Sequence, residues 1–189
     1  IVKLIENFSK LKICVLGDLI LDEYITCDTL GMSNEEPSLV VTPTDKKRFI
    51  GGAGIVAAHA SGLGAKVEFF TVLGKDKNNE FVKKKLKEYK ISSKIFFDHS
   101  RPTTLKQRFR CSGKTLLKVS HLHQNSISKS LQKKIYNIFK KKVETYDLIV
   151  FSDFNYGFLP KELVEKISYL GKKYKKFMVG DCQSSSQVG

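Results

Sequence analysis

Short, almost wholly apolar runs alternate along this chain with stretches of helical periodicity, and that alternation is the strongest constraint on its fold. Lys12–Leu16, Lys66–Leu73, Asp147–Phe151 and Lys176–Gly180 read as buried strands. Between them lie the small-residue stretch Gly51–Gly64 and predicted helices over Lys77–Tyr89, from Ser128 or Ser130 to about Val143, and over Pro160–Leu170. Helices between apolar strands imply a mainly parallel central sheet with right-handed crossovers. The 189 residues suit one domain with a proper core.

Two further segments follow a different rule. Residues 23–29 and 38–44 alternate in the β manner around Gly31, Ser33, Asn34 and Pro37, and residues 103–109 and 115–119 do so around Ser112-Gly113. Both read as hairpins inserted in the α/β frame, a small β lid outside the main sheet. Val56, Ala60 and Leu63 share one stripe of the small-residue helix, His59 is expected to be packed in it, and Gly171 is expected just past the end of the last helix.

The net charge of +14 admits nucleic acid, an anionic membrane surface or phosphorylated small molecules as partners. Almost all the excess is lysine, since the arginines are Arg48, Arg101, Arg108 and Arg110, and arginine is the residue that recognises phosphates and bases through two parallel bonds. The charge therefore reads as a lysine-rich solvated surface, and a nucleic-acid-binding reading rests on charge alone. No apolar run approaches the roughly 20 residues of a membrane span, and no secretory signal is visible. Cys14, Cys27, Cys111 and Cys182 form no CxxC pair and no metal-spaced cluster with histidine. The expectation is free thiols, a cytoplasmic protein, and no metal held directly by side chains.

In open α/β sheets ligands bind beyond the carboxyl ends of the strands. Asp18, Asp153 and Asp181 fall there, with Asp22 four residues after the first of them. Such carboxylates accept hydrogen bonds from sugar hydroxyls or help hold Mg²⁺. Gly51-Gly52 precedes a helix, where glycine admits a ligand close to the backbone. No GK[ST] follows, and no GxGxxG follows the first strand, which counts against a Walker loop and a dinucleotide fold. Lys106, Arg108 and Arg110 alternate on the second hairpin, so one face carries three cations suited to a substrate phosphate. His121 and His123 share a strand face with no third ligand nearby.

In this order the motifs resemble the PfkB/ribokinase family of carbohydrate kinases, most closely its heptose 7-phosphate kinases. The resemblance is carried by Val15 through Tyr24, Ser33 through Pro37 with Val40-Val41, Gly51-Gly52-Ala53, Leu63-Gly64-Ala65, Gly74 with Asp76, Thr103-Thr104 with Lys106 and Arg108, and Ser152-Asp153 with Gly157. It runs over essentially the whole chain. It implies a ribokinase-like α/β fold with a small β-hairpin lid near residues 23–49 and 103–119. It also implies transfer of the γ-phosphate of ATP, with Mg²⁺, to a hydroxyl of a sugar or sugar phosphate.

Carried over by position, Asp18, Asp22, Gly51, Gly52, Ala53, Lys106, Arg108 and Asp153 would bind substrate, and Asp181 would lie near the nucleotide and Mg²⁺. The family's catalytic base would lie beyond Gly189, so residues 1–189 are expected to be the N-terminal, sugar-binding part of one kinase domain, truncated at the C-terminus and inactive alone. The implied partners are a small-molecule sugar or sugar phosphate and a second copy through the lid hairpins, with no nucleic acid and no membrane. Ile55 stands where the family usually has a sugar-contacting Asn, and Tyr156 where the heptose kinases commonly have Lys. A non-catalytic sugar-binding module derived from such a kinase is the alternative that Ile55 raises.

Overall fold

In the computed structural model, which describes residues 6–183, the strands sort into two sheets. The first contains β1 (Lys12–Gly17), β4 (Lys66–Leu73), β5 (Ser92–Phe97), β8 (Leu148–Asp153) and β9 (Phe177–Cys182) in the order β5-β4-β1-β8-β9. Every neighbouring pair is parallel. Helices α1 (Ala53–Gly62), α2 (Asn78–Glu88), α3 (Lys129–Lys140) and α4 (Lys161–Lys173) cover it.

The apolar runs are explained by burial on both faces. In β1, Cys14 and Leu16 pack with Phe70, Ile135, Phe139 and Ile149 on the side of α3 and α4. The alternate residues Ile13 and Val15 pack with Ala53, Ala57, Val82 and Leu86 on the side of α1 and α2. The face of α1 that meets the sheet is Ala53, Gly54 and Ala57; Leu63 is 45% exposed and His59 is exposed. Of the stripe expected at Val56, Ala60 and Leu63, Val56 and Ala60 are half-buried at the flank of this core and Leu63 is turned to solvent, because the smallest side chains allow the closest approach to the sheet. Gly171 lies inside α4, which continues to Lys173 because a bare Cα there makes room for Met178 of β9.

The second sheet has the order β3-β2-β6-β7, from β2 (Leu19–Met32), β3 (Leu39–Gly52), β6 (Leu105–Cys111) and β7 (Lys114–His121). The two hairpins β2–β3 and β6–β7 are longer than their sequence signals and are fused by a parallel β2–β6 pairing that those signals do not reveal. Ser112 (φ 47°) and Gly113 (φ 79°) turn the second hairpin in the left-handed region that a tight two-residue turn requires. Pro43 is tolerated because β3 is an edge strand.

Chain order reverses at β1: the chain moves outward to β4 and β5, then returns to place β8 on the other side of β1. A crevice opens at the carboxyl ends of strands at such a switch point. No helix among the described residues is long and apolar enough to cross a membrane.

Candidate functional site

Asp18 follows β1 and Asp153 ends β8, so both stand at the switch point. Register places Gly17, Ser152 and Asp181 side by side across β1, β8 and β9, and Asp153 beside Cys182. The three carboxylates singled out in the sequence therefore share one rim, although Asp181 is solvent-exposed and Asp18 is 3% exposed.

Asp18 is held by three backbone N–H groups. One carboxylate oxygen accepts the backbone N–H groups of Phe154 (3.0 Å) and Tyr156 (3.2 Å), and the other accepts that of Phe158 (3.2 Å). Burial pushes its pKa up to about 6; the N–H bonds oppose that rise, and the nearby Asp153 charge adds to it. Its backbone carbonyl accepts the N–H of Ala53 at 2.9 Å, which fixes the start of α1 against the rim. A carboxylate offers about four acceptor directions, so with three in use Asp18 retains about one for a ligand hydroxyl.

The paired glycines have a local cause. Gly52 has φ 57° and ψ −141°, and a Cβ there would strike the Asp18 carbonyl and Ile20; a Cβ on Gly51 would strike the Asp22 carboxylate. The close approach they permit is first that of β2 to β3, beside the first turn of α1. Ile55 in that turn is half-buried and offers no hydrogen bond.

The face of the second sheet that carries Asp22 also carries the three cations. Register sets Asp22 opposite Lys106 and Tyr24 opposite Arg108. Arg108 forms an ion pair with Asp22, and its guanidinium lies over Tyr24, 5.2 Å from the ring centroid. Arg110 lies over the same ring at 5.8 Å, and Lys106 lies 5.1 Å from the ring centroid of Tyr156. Asp22, Tyr24, Thr26, Lys47, Phe49 and Arg110 line a hollow on this face. The opposite face buries Glu23, which accepts from Arg48 and Gln107 and pairs with Lys46. Burial alone would raise Glu23, but those bonds outweigh it and hold the carboxylate below its ordinary range.

Arg101 was not a candidate from sequence, yet it ties the rim together. Its side chain is 4% exposed and donates to Asp98 (2.9 Å), the carbonyl of Tyr156 (2.8 Å) and the carbonyl of Asn125 (2.8 Å). It thus joins the segments after β5, β7 and β8. A lone arginine before Pro102 is the whole of its sequence signal. Asp76 plays a similar part, taking the N–H of Asn78 and, with its other oxygen, that of Thr103.

Among the described residues no group of three or more His, Cys, Asp or Glu side chains could hold a metal, and none of the four cysteines is in a disulfide. A second hollow at the rim is lined by Phe151, Asp153, Leu159, Val164, Asp181 and Cys182.

A sheet of this topology, with its carboxylates at the switch point and a basic four-stranded sheet beside them, has counterparts among known proteins. The Arabidopsis thaliana ribokinase complexed with ribose and ATP matches it with a TM-score of 0.64 at 13% identity, over 93% of this chain and 54% of that one. The bifunctional protein HldE of Helicobacter pylori is 32% identical over 171 residues, covering 90% of this chain and 37% of that protein. The HldE of a Nitratiruptor species is 32% identical over 160 residues, covering 84% and 34% respectively. The chain therefore spans about a third of the length of these curated relatives. Residues 10–188 match the family described as pfkB family carbohydrate kinase, and the chain belongs to that family.

Proposed function

We propose that residues 1–189 are the sugar-holding part of an ATP-dependent sugar kinase, and that a heptose 7-phosphate is the favoured acceptor. The observation that supports this reading is the nearness of Asp18 and Asp153 at the switch point, with Lys106 reaching the ring of Tyr156 beside them and Arg108 and Arg110 farther along the same strand. Carboxylates suit the hydroxyls of a sugar, and a cationic face suits a phosphate already on it. Family membership and the HldE relatives agree with this choice.

In this reading the remaining acceptor capacity of Asp18, together with Asp22 and the backbone at Gly51, Gly52 and Ala53, orients the sugar. Asp22 holds Arg108 in place, and Lys106 and Arg108 receive the substrate phosphate. The second sheet acts as a lid, which excludes water and strengthens these contacts. Phosphoryl transfer depends chiefly on positioning and on neutralising charge. In this reading residues 1–189 contribute positioning and charge, and no general base is assigned among them.

Mg²⁺ commonly binds through one or two carboxylates plus nucleotide phosphates and keeps several waters. Asp153 and Asp181 at one rim fit that demand. When bound, the ion would neutralise charge on the phosphates. The protein is assigned to the cytoplasm. Leu30, Met32, Leu39 and Leu117, between 46% and 68% exposed on the second sheet, suit pairing with a second copy, which sedimentation would reveal.

A coupled assay of ADP release tests the reading on the natural full-length protein, with heptose 7-phosphate, ribose, fructose and fructose 6-phosphate. Turnover is expected with the heptose phosphate above the others, and failure with every acceptor would sink the kinase. Ile55 favours one rival, a binding module without catalysis. That rival predicts sugar binding by calorimetry with no ADP release.

A further inference from the structure

The segment after β8 is held at more points than a surface loop needs. Asp18 takes the N–H groups of residues 154, 156 and 158, Arg101 donates to the carbonyl of Tyr156, and the N–H of Ile127 donates to the carbonyl of Gly157 at 3.0 Å. Asn155 (φ 60°) and Gly157 (φ 85°) both adopt left-handed backbone, so the peptides flanking Tyr156 turn inward to these partners. The Tyr156 side chain is therefore mounted on a fixed base at the switch point.

Above it stands β6. The second sheet is rooted at the rim where β2 begins at Leu19, just after Asp18, and β3 ends at Gly52, just before Ala53 donates its N–H to the Asp18 carbonyl. Farther along, Arg108 and Arg110 spend their contacts inside the sheet, on Asp22 and Tyr24. Lys106 points out of the sheet instead, over the Tyr156 ring. Among the cation–ring contacts of the described residues, this one joins the second sheet to the rim.

We propose that Tyr156 is a positioning residue that sets how the four-stranded sheet sits over the rim, by holding Lys106 on its ring. Asp18 and Arg101 act through it: they fix the ring, and the ring fixes β6. A single cation–ring contact is strong enough to bias the sheet toward the rim and weak enough to be released. The identity of whatever the sheet covers rests on the sugar-kinase reading; the contact and its effect on β6 do not.

Hydrogen exchange on the full-length protein separates the two. Y156L and K106M should each speed exchange of the backbone amides of residues 105–111 about fivefold, with the double variant no faster than either single one. Y156F and K106R keep a ring and a cation and should return exchange to within about twofold of the original protein. Unchanged exchange in both Y156L and K106M would overturn the proposal, as would Y156F behaving like Y156L. Should Y156L fail to fold, K106M and K106R decide alone, because Lys106 is partly exposed and its loss leaves the loop anchored. A protein that phosphorylates no sugar yet shows this pattern would keep the proposal and lose only the kinase.

Discussion

The carboxylate of Asp18 accepts the backbone N–H of Phe158, 140 residues along the chain, at 3.2 Å. A buried acid is thereby made the anchor of the loop that follows β8. Burial raises Asp18 to about 6, so between about pH 4 and 6 the folded protein holds more protons than the unfolded chain. The contribution of this group to stability is present in full below about pH 4 and is lost as pH rises through about 6.

Asp18→Asn removes that titration. The difference in stability between the original protein and the variant should change by about 2–3 kcal/mol between pH 4 and 7, with the original losing ground as pH rises. Urea midpoints at half-unit pH intervals give the comparison. Parallel pH dependence in the two proteins would refute the raised acid.

Arg101→Met should cost about 3 kcal/mol, because it takes a buried donor from Oδ2 of Asp98, whose other oxygen keeps Ser100, and from two loop carbonyls. Lysine should not rescue it, since one ammonium cannot replace donors that point to three separate loops. Equilibrium unfolding in urea measures both variants, and a cost for R101M under about 1 kcal/mol would contradict the bridging role.

Much of the fold was legible because its strands are apolar on both faces, and the switch-point carboxylates were legible because each follows such a strand. Ser112-Gly113 announced its hairpin through turn chemistry alone. The parallel β2–β6 pairing was not legible, because pairing between distant strands leaves no local pattern. The role of Arg101 was hidden for the same reason: its partners at 98, 125 and 156 meet only after three crossovers. Alternation alone puts Arg108 on one face with Lys106 and Arg110, while its ion pair with Asp22 depends on that unseen register. Tyr156 was visible only as a departure from a motif.

Gly52→Ala should destabilise the protein by about 3 kcal/mol. The position has a backbone conformation reserved almost wholly to glycine, and the new methyl group would meet the Asp18 carbonyl and Ile20. Relief requires Asp18 to move, so the variant should also weaken sugar binding in calorimetry. A thermal midpoint equal to that of the original protein would show that the backbone there relaxes freely.

At the opposite end of the first sheet, Glu68 is 7% exposed and accepts from the Tyr146 hydroxyl and the Lys142 ammonium, with Lys94 at 3.7 Å. Burial acts to raise its pKa, but the bonds from Lys142 and Tyr146 and the charges of Lys142 and Lys94 outweigh it and hold the carboxylate below its ordinary range. The stability it contributes is present above its unfolded value, near 4.3, and is lost as pH falls through the lower folded value. Tyr146→Phe deletes one donor while keeping the ring stacked on Phe139. The variant should lose about 1–3 kcal/mol at pH 7, because a buried carboxylate oxygen is left short of a partner. It should lose less than that at pH 3, where the gap between the two proteins narrows as Glu68 takes up a proton. Urea unfolding at the two pH values measures this, and a gap that widens on acidification would mean that Glu68 is not held in its charged form by Tyr146.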